Sequence, residues 1–320
     1  MAPTPPPAPP EPPRRPRRLR PGSRIALVAP AGPLASERVA AAEARCLALG
    51  FEPRTGRCVH MRHGFLAGPD ADRLADLQAA IDDPEVDAIW ALRGGYGTVR
   101  IVDDLVLDRL LDDPIAFLGF SDNTAIHARL AALGIVSFHS PHPTTTGPSP
   151  ADDWFRRVTG VAEPAGALPT PVAPTRLNGG QAEGRLAGGN LALLSSLAGT
   201  RDAVSGAGRI LVIEDVGEPA YRIDRMLVQL RRSGTLDGVR GLAFGTFTGV
   251  PGGGSPDGVK TLAERAVEEV LRECAIDLGV PAIMGLPIGH GADNVVVPLG
   301  VRARLDAQQG RLEVIEPAVR

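Results

Sequence analysis

The chain has 320 residues, enough for one large domain or two ordinary ones, and its 43% of hydrophobic residues can fill a sizeable core. With 34 Lys plus Arg against 37 Asp plus Glu the net charge is −3, so nucleic acid or an anionic membrane is not expected as the main partner. No apolar run reaches the roughly 18 residues of a membrane span.

Residues 1–21 are rich in proline, then in arginine, a composition that cannot bury enough surface to offset ordering, and a disordered tail is expected. Arg14, Arg15, Arg17, Arg18 and Arg20 ahead of the apolar run Ile25–Ala29 imitate a signal peptide. Pro30 and Gly32 break that run, which reads as a first strand instead. A helix is expected from Ser36, as N-cap, to Leu49, closed by Gly50. A second, over 70–81, carries Leu74, Leu77 and Ile81 at helical spacing. The strand Val86–Ala91 runs into Arg93-Gly94-Gly95-Tyr96-Gly97, and a helix over 99–111 follows. The strand Pro114–Gly119 turns at Phe120-Ser121-Asp122 into a helix over 123–133. Strands alternating with helices predict an α/β N-terminal domain over 22–145, with a parallel sheet covered on both faces.

After Phe138 the rhythm breaks, and Pro, Thr and Gly suggest a connector over 146–182. A second domain is expected over 183–320. Its strands fall at Ile210–Glu214, Gly241–Phe247 and Val295–Leu299, with a closing hairpin over 301–315. Its helices fall at Leu191–Leu197, Tyr221–Ser233 and Lys260–Glu273. The cysteines, Cys46, Cys58 and Cys274, are scattered and form neither a disulfide framework nor a zinc cluster; they are compatible with the cytoplasmic location expected.

The turn Gly119-Phe120-Ser121-Asp122-Asn123 puts a small nucleophile between a strand and a helix start. A sharp turn there exposes Oγ at the sheet's C-terminal edge, and free amides can hold an oxyanion. Asn123 replaces the second glycine of the usual elbow, and the other reading of Ser121 or Asp122 is a helix cap. The Arg93–Gly97 segment is either an anion cradle supplying an oxyanion donor from Gly94 or Gly95, or a simple turn. It lacks a Walker lysine and the dinucleotide spacing. Of six histidines, His290 lies in a glycine-flanked loop and is either a base or a solvated side chain. His127 is expected to point away from the turn. His139 and His142 could suggest a metal pair, but no ligand-type residues cluster with them. Glu214 and Asp215 end an apolar strand, where Glu214 could orient an imidazole and Asp215 could cap the following turn.

These motifs, together with Val28-Ala29-Pro30, Gly188-Gly189-Asn190-Leu191, Tyr221-Arg222-Ile223-Asp224-Arg225 and Gly289-His290, occur in an order that resembles the serine LD-carboxypeptidases. That family includes muramoyltetrapeptide carboxypeptidases and microcin C immunity peptidases. The resemblance spans Ser23 to Ile315 and implies a Rossmann-like N-terminal domain bearing the nucleophile, plus a smaller β-rich C-terminal domain. It implies a Ser121–His290–Glu214 triad in an interdomain cleft, with Asp122 and Gly94 or Gly95 as oxyanion donors. Tyr96 and Arg93 would lie at the substrate, Arg93 being one candidate for its terminal carboxylate. A homodimer is implied, and no metal or cofactor. The expected reaction releases D-alanine from a murein tetrapeptide in peptidoglycan recycling. One alternative substrate is a peptidyl-nucleotide antibiotic, for which Trp154 is the only candidate in the connector to stack a base. The alternative of another class is a non-catalytic ligand-binding module.

Overall fold

The computed structural model describes residues 12–143, 151–254 and 260–320. They divide into two units. One holds the described residues up to Pro164 together with Val296–Gly300 and Pro317–Arg320; the other holds Ala165–Val295 and Val301–Glu316.

The first unit runs β1 (Arg24–Val28), α1 (Ser36–Ala48), β2 (Glu52–Thr55), α2 (Asp70–Asp82), β3 (Ala88–Ala91), α3 (Asp108–Asp112), β4 (Ala116–Gly119), α4 (Thr124–Ala132), β5 (Ser137–His139) and α5 (Ala151–Gly160). The five strands lie in the order β5-β4-β3-β1-β2, all parallel. Every residue of β3 and β4 is buried, the pattern of strands covered on both faces. On one face Val28, Ile89 and Phe117 pack against Leu77 and Ile81 of α2 and Ile126 and Leu130 of α4. Parallel pairing brings the C-terminal ends of these strands to one edge, so the loops after β1, β3 and β4 gather there.

Several expectations need correction here. The helix expected over 99–111 is replaced by two single turns, Thr98–Arg100 and Val102–Asp104, and the short α3. The Gln78 side chain accepts from the Val106 amide at 2.9 Å and donates to its carbonyl at 3.0 Å, occupying backbone groups that a helix would use. Ser36 opens α1 but does not cap it; Ala35 occupies that position with no side-chain bond. The tail expected over 1–21 is ordered from residue 12 onward, residues 1–11 lying outside the described part. Arg14 donates through Nε and Nη1 to the carbonyls of Leu111 and Leu133, and Leu19 is buried with its amide on Thr159 O. Composition hid this because an arginine that satisfies backbone carbonyls is as well solvated as one in water.

The second unit continues with β6 (Pro164–Ala167), β7 (Thr175–Asn178), β8 (Gln181–Asn190), α6 (Leu191–Leu197), β9 (Arg209–Val216), α7 (Ala220–Arg232), β10 (Gly241–Thr248), α8 (Leu262–Leu278) and β11 (Ala282–Met284). Next come β12 (Val297–Leu299) and the antiparallel hairpin β13 (Arg302–Asp306) and β14 (Arg311–Pro317). Its sheet has the order β6-β14-β13-β8-β9-β10-β11-β7, with β8 to β11 parallel. A capping box of Thr261 and Glu264 starts α8, and Gly279 ends it at φ +64°.

The segment 146–182 is therefore no connector. Its part before 151 lies outside the described residues, and the rest supplies α5, β6 and β7. Trp154, Phe155 and Val158 form the buried face of α5, and Phe155 stacks on Trp90 at 5.2 Å. Nor does 183–320 stay in one unit. β12 leaves it to pair antiparallel with β5, Val297 opposite His139. The α/β architecture in two domains is as expected.

Candidate active site

Ser121 follows β4 by two residues and begins the turn that leads into α4. Its φ is +62°, a left-handed value that no other non-glycine residue adopts among the described residues. Such a backbone costs about 1–2 kcal/mol for an L-residue and persists only where its surroundings impose it. The glycine loop after β3 makes room for this turn. A Cβ on Gly94 would lie 2.7 Å from Ser121 Cβ, 2.8 Å from Oγ and 3.1 Å from the Asp122 amide nitrogen. A hydroxyl and a helix-start amide thus converge on bare backbone, the arrangement an oxyanion site needs.

The loop and the turn are tied together. Asp122 is fully buried, and its Oδ2 accepts from the Thr98 amide at 2.8 Å and from Thr98 Oγ1 at 2.7 Å. Burial raises its pKa, and the Thr98 bonds oppose the rise. Asn123 Nδ2 donates to Phe120 O at 3.0 Å and to Arg93 O at 3.3 Å. Arg73, 1% exposed, donates from Nε to Gly68 O at 3.2 Å and from Nη1 to Gly97 O at 3.0 Å, and it also bonds Pro30 O. One guanidinium thereby joins the loops after β1 and β3 to the segment before α2. Gly95 (φ +104°) and Tyr96 are exposed on the loop, and exposed Arg93 donates from Nη1 to Pro33 O.

His127 does not point away from the turn, as the sequence suggested. It is buried, with Nε2 2.7 Å from Gly119 O and Nδ1 2.8 Å from Ser137 Oγ. A carbonyl only accepts, so Nε2 carries the proton and Nδ1 accepts from the serine. Burial pushes its pKa down to about 3, so the ring is neutral at ordinary pH. The Ser140 amide also donates to Gly119 O, at 3.0 Å, fixing the peptide that enters the turn. His139 and His142 pack on Phe120, ring centroids 5.7 and 4.3 Å away.

The second unit holds the other two expected residues. Glu214, near the end of β9, is fully buried and its Oε2 lies 2.7 Å from His290 Nδ1. With Nδ1–H donating to the carboxylate, Nε2 is the nitrogen that can take a proton from a hydroxyl. Two glycines make space for this pair. A Cβ on Gly289 (φ +105°) would fall 2.4 Å from Glu214 Oε2, and one on Gly245 would fall 3.1 Å from Glu214 Cβ. The loop is held by Asn294 Oδ1 accepting from the Gly289 amide at 3.2 Å and Thr246 Oγ1 accepting from the Gly291 amide at 3.1 Å. Asp215 does not cap the turn that follows it. Oδ2 accepts from the Ala192 amide at 3.0 Å, at the start of α6, and Oδ1 from Asn190 Nδ2 at 3.1 Å and from the Val216 amide at 2.8 Å.

The sequence reading missed Thr98, Arg73, Gly245 and Asn294. Gly245 alone carried a signal, since a glycine inside an apolar strand marks a close approach. Arg73 looked like any polar position on α2.

Fold and comparisons together define a serine-type peptidase. The LD-carboxypeptidase N-terminal domain matches residues 25–140, and the LD-carboxypeptidase C-terminal domain matches residues 183–305. The chain belongs to the LD-carboxypeptidase family and is a hydrolase with carboxypeptidase activity. A putative carboxypeptidase of Streptomyces coelicolor is 40% identical over 317 residues, covering 94% of this chain and 96% of that protein. The murein tetrapeptide carboxypeptidase of Pseudomonas aeruginosa is 34% identical over 298 residues, covering 90% of this chain and 94% of that protein. The crystal structure of an MccF-like protein from Bacillus anthracis superposes with a TM-score of 0.83 over 94% of this chain and 99% of that one; at 22% identity it shows a shared fold.

Proposed function

We propose that the protein releases a C-terminal D-amino acid, D-alanine, from a murein tetrapeptide, with Ser121 as nucleophile, His290 as base and Glu214 as its orienting acid. The observation that carries the roles is Ser121 held at φ +62° against the bare Cα of Gly94. The substrate rests on likeness to the murein tetrapeptide carboxypeptidase of Pseudomonas aeruginosa.

In this reading His290 Nε2 takes the Ser121 proton as Oγ attacks the carbonyl before the terminal residue. The amides of Asp122 and Gly94 or Gly95 receive the oxyanion. The C–N bond breaks, His290 returns the proton to the leaving amine, and water then hydrolyses the ester to free Ser121. Glu214 holds the Nδ1–H throughout, setting the tautomer of the neutral ring and stabilising the imidazolium formed when Nε2 takes the proton.

The test is incubation with the tetrapeptide and measurement of free D-alanine. Wild type is expected to release it, and Ser121→Ala or His290→Ala to lose about 10⁴–10⁶ in kcat with the fold intact. Absence of D-alanine from a folded wild type refutes the substrate. A Ser121→Ala variant that keeps full activity refutes the role. A peptidyl-nucleotide substrate is the control. Trp154, the residue considered for stacking a base, is buried with its indole N–H on Val296 O at 2.8 Å, and Phe155 beside it is buried too.

A further inference from the structure

Phe65 and Tyr96 are among the few large apolar side chains that stay exposed, at 64% and 46%, and their rings touch with centroids 5.8 Å apart. Exposed aromatics on a floppy loop would mean little, but these are rigidly mounted. Phe65 sits at the tip of a tight turn closed by two bonds, His63 N–H to Leu66 O at 2.8 Å and Leu66 N–H to His63 O at 3.0 Å. Gly64 supplies the positive φ of that turn, +61°. The next residue, Leu66, is buried, and its Cδ2 comes within 2.7 Å of where a Cβ on Gly97 would stand. The Ala67 amide then donates to Ala31 O at 2.9 Å, and Arg73 grips Gly68 O. Tyr96 is anchored through the next residue, Gly97, whose carbonyl accepts from buried Arg73 Nη1 at 3.0 Å.

The position of the pair gives it a purpose. Tyr96 follows Gly94 by two residues, so their Cα atoms are no more than about 7 Å apart. Gly94 is the residue whose bare Cα faces Ser121 Oγ. Tyr96 therefore sits on the loop that faces the hydroxyl, and its ring contact carries Phe65 to the same sheet edge.

We propose that Phe65 and Tyr96 form an apolar platform that binds the acyl side of the substrate, the peptide preceding the scissile bond, and that they set a preference for longer peptides. This rests on the function proposed above and adds a specificity determinant to it. Size decides which side of the bond is bound. The two rings leave on the order of 200 Å² of aromatic surface in water. A single departing D-alanine offers one methyl group and cannot cover it, whereas several residues of peptide backbone and aliphatic side chain can. The rings recognise shape and apolar faces, and need no particular charge on the peptide.

The experiment compares two substrates, the murein tetrapeptide and the N-acetylated dipeptide of its last two residues, by D-alanine release. Wild type is expected to favour the tetrapeptide. Phe65→Ala should lower kcat/KM for the tetrapeptide about ten- to a hundredfold, mostly through KM, while changing the dipeptide less than about threefold. Phe65→Trp should restore the preference. Because Phe65 is exposed, its replacement leaves the core intact, and an unchanged melting temperature verifies this. A Phe65→Ala variant with an unaltered ratio between the two substrates, or one that loses both equally, overturns the platform while D-alanine release by wild type upholds the proposed function. A wild type that neither cleaves nor binds the tetrapeptide overturns both.

Discussion

Ser121 stands at φ +62° with Oγ against bare backbone, and the strain and the placement of the hydroxyl have one origin. Turning the chain sharply after β4 lifts the side chain above the sheet edge, but for an L-residue that turn is unfavourable. Thr98 bonded to Asp122, and His127 and Ser140 bonded to Gly119 O, hold it in place. Replacing Ser121 separates strain from chemistry. Ser121→Ala keeps a Cβ and the strain, and Ser121→Gly removes both. The glycine variant is expected to be about 1 kcal/mol more stable than the alanine variant in urea unfolding, with both inactive. Sequence alone left Ser121 poised between helix cap and nucleophile, because dihedral strain has no signature in a pentapeptide. Glu214 and His290 were legible only through the order of motifs. What the sequence could not show is that two distant glycines, Gly245 and Gly289, clear the space in which they meet.

At the scale of elements, Asp215 links β9 to α6. Its carboxylate is buried, accepts from the Ala192 amide at the helix start, and has its pKa pushed up to about 6, chiefly by burial. The unfolded chain releases this proton near pH 3.9. Between about pH 4 and pH 6 the folded protein therefore holds the proton that the unfolded chain has lost, so rising pH destabilises the fold across that window and has no further effect through this group above it. Asp215→Asn keeps a side-chain acceptor and removes the titration. Its stability is expected to fall less than that of wild type between pH 4 and pH 7, by on the order of 2 kcal/mol, read from urea midpoints at both pH values. The elements with strong periodicity were readable from sequence: α6 was placed at its observed bounds, and β9 and β10 to within two residues. The stretch from 98 to 112 was not, because the side chain that holds Val106, Gln78, comes from another helix.

At the scale of the molecule, both ends of the described chain are fastened to the first unit. The Arg14 amide donates to Gly134 O at 2.8 Å, and the Arg14 carbonyl accepts from Val136 at 2.9 Å. Asp113 receives both Arg17 and Arg320, the latter at 2.8 Å. The Arg320 amide in turn donates to Pro16 O at 3.0 Å. The proline- and arginine-rich stretch is thus an integral strap from residue 12 onward. Removing residues 1–20 exposes the pocket of Leu19 and deletes these bonds, and is expected to lower unfolding free energy by about 3–5 kcal/mol in urea titration. A truncated protein as stable as the full chain would show the strap to be superficial.

The sequence by itself determined the alternation of strands and helices in the first unit, hence its parallel sheet and the edge at which its loops gather, because burial on both faces writes continuous apolar runs into the strands. It also placed Ser121 at such an edge. Tertiary structure alone decided that Ser121 is strained, that Glu214 touches His290, that 151–182 builds both units, and that the arginine-rich start is ordered. The physical reason is common to all four: each depends on a partner far away in the chain, and neither local periodicity nor composition records such partners.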